Sequence, residues 1–195
     1  MCLTSSMPNP AFCNLAGGIL RVLVAKSEDL VLSGVGASFT ITDTGVTRSQ
    51  ITAIAAGLDW YEIKFDKKRD ASAAAENTLG GRPAYTHTVS VLTSTADFDT
   101  QRSLTELQNC CGYVVLVKYA DGNWAMYGLN YSASDASYDP ADMQVKYDFT
   151  TGANRADTAA GGTVAFSSEN VNFSWLPVSP AAAATAIAAI VAHTP

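Results

Sequence analysis

The stretch Cys111-Gly-Tyr-Val-Val-Leu-Val-Lys-Tyr119, Ala120-Asp-Gly-Asn123, Trp124-Ala-Met-Tyr-Gly-Leu129 decides the fold class. Two runs rich in β-branched and aromatic residues flank Asp121-Gly122, a pair suited to the positive-φ positions of a tight hairpin turn. Tyr113 to Tyr119 is apolar nearly throughout, the pattern of a strand covered on both faces. Trp124, Met126 and Tyr127 return along its side. Immediately upstream, Asp97 opens a run to Asn109 in which Phe98, Leu104 and Leu107 share one helical stripe with Cys111. The unit is therefore helix, central strand, turn, strand, and nothing in it forms a catalytic pattern.

Outward from this centre, period two dominates. Ile19 to Ala25 reads as a first strand buried on much of both faces, and Ser38 to Thr42 as a short second one. Arg48 to Leu58 fits either a helix or a strand. Tyr61, Ile63 and Phe65 alternate with Trp60, Glu62 and Lys64. Tyr85, His87, Val89 and Val91 oppose Thr86, Thr88 and Ser90, and Met143, Val145, Tyr147 and Phe149 oppose Gln144, Lys146 and Asp148. Tyr131 to Asp142 reads as a polar connection, and Thr163 to Ser167 and Val171 to Trp175 as the closing strands before Pro177 and Pro180 stop the sheet. The prediction is a mainly β fold over residues 19–176, a sandwich or barrel of about seven to nine strands with one flanking α-helix. Residues 1–18 form an N-terminal arm. Residues 177–195 form an Ala-rich tail, with Ile187, Ile190 and Val191 on one side of a helix that needs a partner surface to be stable.

Between two of the alternating strands lies Asp66 to Pro83, far longer than a hairpin needs. Long charged connections in compact domains are usually functional or disordered, so this one is a candidate contact element. Lys67, Lys68, Arg69, Asp70, Leu79 and Arg82, with Tyr85 just beyond, are the predicted inter-subunit contacts, the basic run meeting an acidic patch on an identical neighbour.

Composition narrows the function. The chain has 195 residues, 48% of them hydrophobic and 15% charged, with a net charge of −6. So few charges suit a surface covered by neighbours. The negative balance disfavours gripping nucleic acid through its phosphates, which takes clustered Lys and Arg. The longest apolar run, Ala181 to Ala192, is too short to span a bilayer, and no secretory signal pattern opens the chain. Cys2, Cys13, Cys110 and Cys111 include an adjacent pair and no C-x-x-C, so they read as free thiols. His87 lies mid-strand and His193 near the end, neither at a recognisable distance from a nucleophile. Asp135, Asp139 and Asp142 lack the dense oxygen-ligand spacing of a calcium loop. Asn130-Tyr-Ser and Asn172-Phe-Ser match the glycosylation acceptor by chance in a chain without a signal. No catalytic residue, metal site or cofactor is expected.

One family shares this order of features: Cys13-Asn-Leu-Ala-Gly-Gly-Ile19, a strand of the type Arg-Val-Leu-Val-Ala, then Trp60-Tyr-Glu-Ile-Lys-Phe65 and a long loop of small residues. An alternating strand, a helix, the Cys111–Leu129 hairpin and a Thr-Gly-Ala loop before the closing strands follow. From Cys13 to Trp175 the chain resembles the tail tube proteins of bacteriophages, in particular those of Bacteroidetes-type hosts. The resemblance implies a virion structural protein whose subunits form rings, usually hexameric, that stack into a hollow tube with a continuous inner β-barrel. DNA passes through the lumen, other tail proteins are the further partners, and the long loop and arm reach neighbouring subunits. The Ala-rich tail departs from that pattern. Tubes of contractile injection systems share the fold. The rival reading is a β-sandwich binding module of a tail tip, fibre or adhesin, which needs an exposed aromatic cluster. Trp124, Tyr127, Tyr131 and Tyr138 are the residues available for it.

Overall fold

Residues 113–117 carry no polar face for solvent, and in the computed structural model they run through the middle of a sheet with both faces covered. The structure describes residues 18–33, 36–43, 49–65, 71–77, 84–93, 105–108, 112–132, 137–150 and 161–191. The strands are β1 (Ile19–Lys26), β2 (Phe39–Asp43), β3 (Ser49–Ile54), β4 (Tyr61–Ile63), β5 (Ala71–Asn77), β6 (Tyr85–Thr93) and β7 (Tyr113–Tyr119). They continue with β8 (Trp124–Tyr127), β9 (Leu129–Ser132), β10 (Ser137–Pro140), β11 (Gln144–Thr150), β12 (Gly161–Val171) and β13 (Leu176–Val178). Residues 105–108 are helical (α1), inside the helix expected upstream of the central strand. A second helix, α2 (Pro180–Ala188), follows the last strand.

Three sheets result: a seven-stranded sheet in the order β2-β3-β13-β8-β7-β1-β4, a four-stranded sheet β11-β12-β6-β5, and a ribbon β10-β9. Alternation along β7 splits the core in two. Val115 and Val117 join Val22, Val24 and Tyr127 against Val89, Val91, Val164 and Phe166 of the four-stranded sheet. Val114 and Leu116 face the other way, with Leu23, Met126 and Leu176, onto α2 and the ribbon residues Leu129, Tyr131 and Tyr138. The fold is thus mainly β, with the larger sheet as its middle layer.

The turn after β7 differs in detail from the expected one. Of Asp121-Gly122, Gly122 alone has positive φ, at 89°. Its N–H donates to Tyr119 O, while Tyr119 N–H donates to Asn123 O. That is the pattern of a three-residue loop closed by a left-handed glycine rather than a two-residue turn. Asp121 holds it by accepting from Asn123 N–H at 2.9 Å and Nδ2 at 2.8 Å.

Four further expectations are corrected. The chain has more strands than seven to nine: thirteen among the described residues. The connection from Asp66 to Pro83 contains β5, paired along its whole length with β6. The supposedly polar connection after the hairpin is the β9–β10 ribbon, in which Tyr131 and Tyr138 are buried. The sheet does not stop at Pro177, and Val171 to Trp175 is not the closing strand. Pro177 lies inside β13, between β3 and β8, and residues 172–175 are the link leading to it.

The tail helix is capped and docked. Ser179 Oγ accepts from Ala182 N–H, and Pro180 sits at the first helical position, where a missing N–H costs nothing. Its buried stripe is Ala182, Ala183 and Ala186, whereas Ile187 and Ile190 are half-buried and Val191 is exposed. Small side chains let the helix lie close on the sheet. Past α2 the backbone pairs with Trp60: its N–H donates to Ala189 O and its carbonyl accepts from Val191 N–H.

Candidate functional site

The four-stranded sheet leaves one face open and, among the described residues, both of its edges; the seven-stranded sheet likewise ends in edge strands, β2 and β4. Every pair in it is antiparallel, and among the described residues β5 and β11 each have a partner on one side only. Each is seven residues long. One face of the sheet is packed into the core and the other is not, as strict alternation dictates. Register lines the outer face up in rows. Ser72, Ser90, Ala165 and Lys146 form one row, and Ala74, Thr88, Ser167 and Gln144 the next. Leu92, Thr163 and Asp148 form a third.

The surface so made is small and hydroxyl-rich. Its one cation in these rows, Lys146, sits 2.8 Å from the Asp148 carboxylate, which raises the Lys146 pKa through that hydrogen bond. Leu92, 47% exposed, is the one large apolar side chain in the rows. These rows hold no His, Cys or Glu. Its chemistry is that of backbone pairing at the edges and weak, unspecific contact on the face.

His87, the strongest catalytic candidate by residue type, points the other way and is fully buried. Its Nδ1 accepts from Gly128 N–H at 2.9 Å. The remaining ring nitrogen, Nε2, therefore carries the proton and donates to Phe173 O at 2.7 Å. Burial lowers its pKa, opposed by the backbone hydrogen bonds of Phe173 and Ser174. Tyr127 packs edge-on against the ring at 5.3 Å, and its hydroxyl meets that of Tyr119 at 2.5 Å. Gly128 is required at this contact: its φ is +77°, and a Cβ there would lie 2.5 Å from Met143 Cγ. The imidazole is thus a neutral strut joining β6 to the β8–β9 junction and to the link before β13.

The other sequence candidates fall as follows. Of the predicted inter-subunit contacts, Lys67, Lys68, Arg69, Asp70, Leu79 and Arg82 lie outside the described residues. Tyr85 opens β6, an inner strand, with Asn77 on one side and Val171 on the other. The described part of that contact element is β5, which sequence reading left as loop because Ala71-Ser-Ala-Ala-Ala-Glu-Asn77 has poor strand propensity.

Trp124, Tyr127, Tyr131 and Tyr138 are each at most 6% exposed, so they make no surface cluster. Tyr138 instead donates its hydroxyl to Val31 O at 2.6 Å and accepts from Phe39 N–H at 3.0 Å. Both asparagines of the acceptor motifs are engaged. Asn172 N–H donates to Asn130 Oδ1, Tyr131 N–H to Asn172 Oδ1, and Asn172 Nδ2 to Tyr131 O. Asp135, the four cysteines and His193 lie outside the described residues. No group of three or more metal-ligating side chains occurs among the described residues, nor any helix long and apolar enough to cross a membrane. No protein-family model, no curated protein and no solved structure matches the chain, which leaves the geometry of the molecule itself to carry its functional reading.

Proposed function

We propose that the protein is a tail tube subunit of a virion, closing head to tail with copies of itself into rings that stack into a hollow conduit for DNA. One observation carries this reading: a four-stranded antiparallel sheet with two open edges of equal length. Because the strand number is even, β11 of one copy meets β5 of the next in the antiparallel sense while all copies keep one orientation. Such a heterologous contact generates a ring when its rotation closes, and closure removes the exposed edges. Six copies, as the family resemblance implies, supply about 24 strands, more than the roughly 16–18 that already enclose an aqueous channel.

The hydroxyl-lined face then becomes the inner wall. A polyanion is held by clustered cations that release its counterions, and Lys146 beside Asp148 is no such cluster. DNA therefore slides past without being retained. The engagement of both His87 nitrogens by backbone supports a structural rather than a catalytic role. The basic run Lys67–Arg69, next to the start of β5, serves as an electrostatic contact with the neighbouring copy.

Negative-stain microscopy of the purified protein over a concentration series tests the reading. Rings or tubes of uniform bore are the expected result. Dispersed monomers at the highest concentration, even when seeded with preformed tubes, would count against it. Reversing the charges of Lys67, Lys68 and Arg69 is expected to weaken ring formation and flatten its salt dependence. An unchanged assembly would remove that contact from the proposal.

A further inference from the structure

Where β1 ends, backbone joins the two large sheets. Lys26 pairs with Tyr113 at the start of β7, Tyr113 N–H donates to Met143 O at 3.0 Å, and Met143 N–H donates to Tyr113 O at 3.1 Å. Beside this junction lies a cavity of about 430 Å³, lined by Ser27, Glu28, Gly112, Asp142 and Gln144. Ser27 and Gly112 are buried and make its floor, while Glu28, Asp142 and Gln144 are exposed and make its rim.

The lining offers oxygen ligands. Ser27 is 8% exposed, and its hydroxyl has no hydrogen-bond partner among the described residues. A buried hydroxyl left unpaired is costly, so it marks a place where a ligand completes the site. Gln144 Nε2 donates to Asp142 O at 3.2 Å, which leaves Oε1 for a ligand. Glu28 and Asp142 add two carboxylates. Lys26 Nζ stands 3.7 Å from Glu28 Oε1, too far for a hydrogen bond, and competes for that carboxylate.

We propose that this cavity binds calcium, with the Glu28 and Asp142 carboxylates, Gln144 Oε1 and the Ser27 hydroxyl as its protein ligands. Two carboxylates and two neutral oxygens supply about six ligand atoms, and water completes the six to eight that calcium takes. The described lining holds no His or Cys, the ligands that zinc prefers. Exposed, adjustable carboxylates suit calcium better than magnesium, which demands near-ideal octahedral geometry. Two carboxylates at an open site correspond to a Kd on the order of 0.1–1 mM. The ion ties the end of β1 to the start of β11 and so clamps one sheet to the other. Loop spacing gives no sign of it, because the ligands come from segments far apart in the chain. Calcium binding here does not require rings to form.

Thermal melting of the full-length protein, first stripped of metal with a chelator, tests the site. Calcium at about 10 mM is expected to raise the melting temperature by about 3–6 °C, and magnesium at the same level by less than about 1 °C. Terbium in place of calcium should luminesce by energy transfer from Tyr113, the residue after Gly112, and calcium should displace it. Glu28→Gln/Asp142→Asn is expected to weaken calcium by about tenfold or more, and Lys26→Gln to tighten it by about twofold. Ser27→Ala should weaken calcium several-fold while its metal-free melting temperature holds, because the hydroxyl supports no contact of the fold. A calcium shift that is absent, matched by magnesium, or retained in the Glu28→Gln/Asp142→Asn variant would overturn the proposal. Where that variant already melts lower without metal, Ser27→Ala carries the test, and undiminished calcium affinity in it would overturn the site.

Discussion

The two large sheets are built by the same alternation yet live in different surroundings. The seven-stranded sheet is covered on both faces at its middle, so β7 and β8 read as continuous apolar runs, although Thr40, Thr42 and Thr52 at the β2–β3 end are exposed. The four-stranded sheet is covered on one, so β6 alternates between Val89 or Val91 and Thr88 or Ser90. The first sheet spends its side chains on stability. The second keeps a polar face and, among the described residues, two edges without a partner, which the proposed assembly would use. On the proposed reading, stability and assembly are written in different strands, and substitutions should separate them.

The largest effect is expected in the middle layer. Leu116→Ala removes a fully buried side chain of β7 and should cost about 2–5 kcal/mol in urea denaturation. A loss below about 1 kcal/mol would mean that this layer is not the stabilising one. His87 comes next. His87→Ala leaves Gly128 N–H and Phe173 O without their partner, at about 1–3 kcal/mol for each buried group. His87→Gln, which can both accept and donate, should recover part of that loss.

The same strut has a pH signature. A histidine held neutral in the fold has a folded pKa below its unfolded value near 6.5. Above about 6.5 both states are neutral and the fold is unpenalised. As pH falls below that, the unfolded chain takes up the proton first and stability declines until the folded pKa is passed. The decline should be absent in His87→Gln. An equal slope in both proteins, measured between about pH 6.5 and 4.5 after correction for the carboxylates, would remove His87 as its source.

Edge substitutions should act on assembly more than on the fold. Adjacent residues of an edge strand point their N–H groups in opposite directions, one toward β6 and one away. Of Ala73→Pro and Ala74→Pro, one should lose about 1–3 kcal/mol through a broken ladder bond. The other should leave the melting temperature nearly unchanged and yet abolish rings. If both variants assemble, the β5 edge is not the contact. Smallest of all, Thr88→Ala on the open face should shift stability by no more than about 0.5 kcal/mol. Asp148→Asn, which leaves Lys146 without its carboxylate, should raise salt-sensitive retention on a DNA column. No change in retention would mean that this face never meets the polyanion.

Legibility in the sequence followed how strongly burial imposes a pattern. The central hairpin and the alternating strands β6 and β11 could be read because a covered face admits only apolar side chains. The β5 strand could not. Its alanines and serines carry no strand preference, and it exists because β6 offers it a complete ladder of partners. Pro177 reads as a strand breaker, yet β13 is a three-residue strand held between β3 and β8. Tyr131 and Tyr138 looked like surface aromatics because their neighbours are polar, although a two-stranded ribbon laid on the core buries every second residue. The open-edged sheet was legible only in part: the polar face is visible in Thr86, Thr88 and Ser90, but which strands stand at the edges is not.

What the sequence determined by itself is the class of fold, the central strand, the place of its turn and the negative charge balance, because these depend on local periodicity and composition. Tertiary structure alone decided that His87 is a neutral strut, that an alanine stripe docks the last helix, and that β5 and β11 stand at the edges of their sheet among the described residues. Each of these depends on which distant segments meet, and a hydrogen-bond partner 41 residues away, as Gly128 is from His87, leaves no mark on the local pattern.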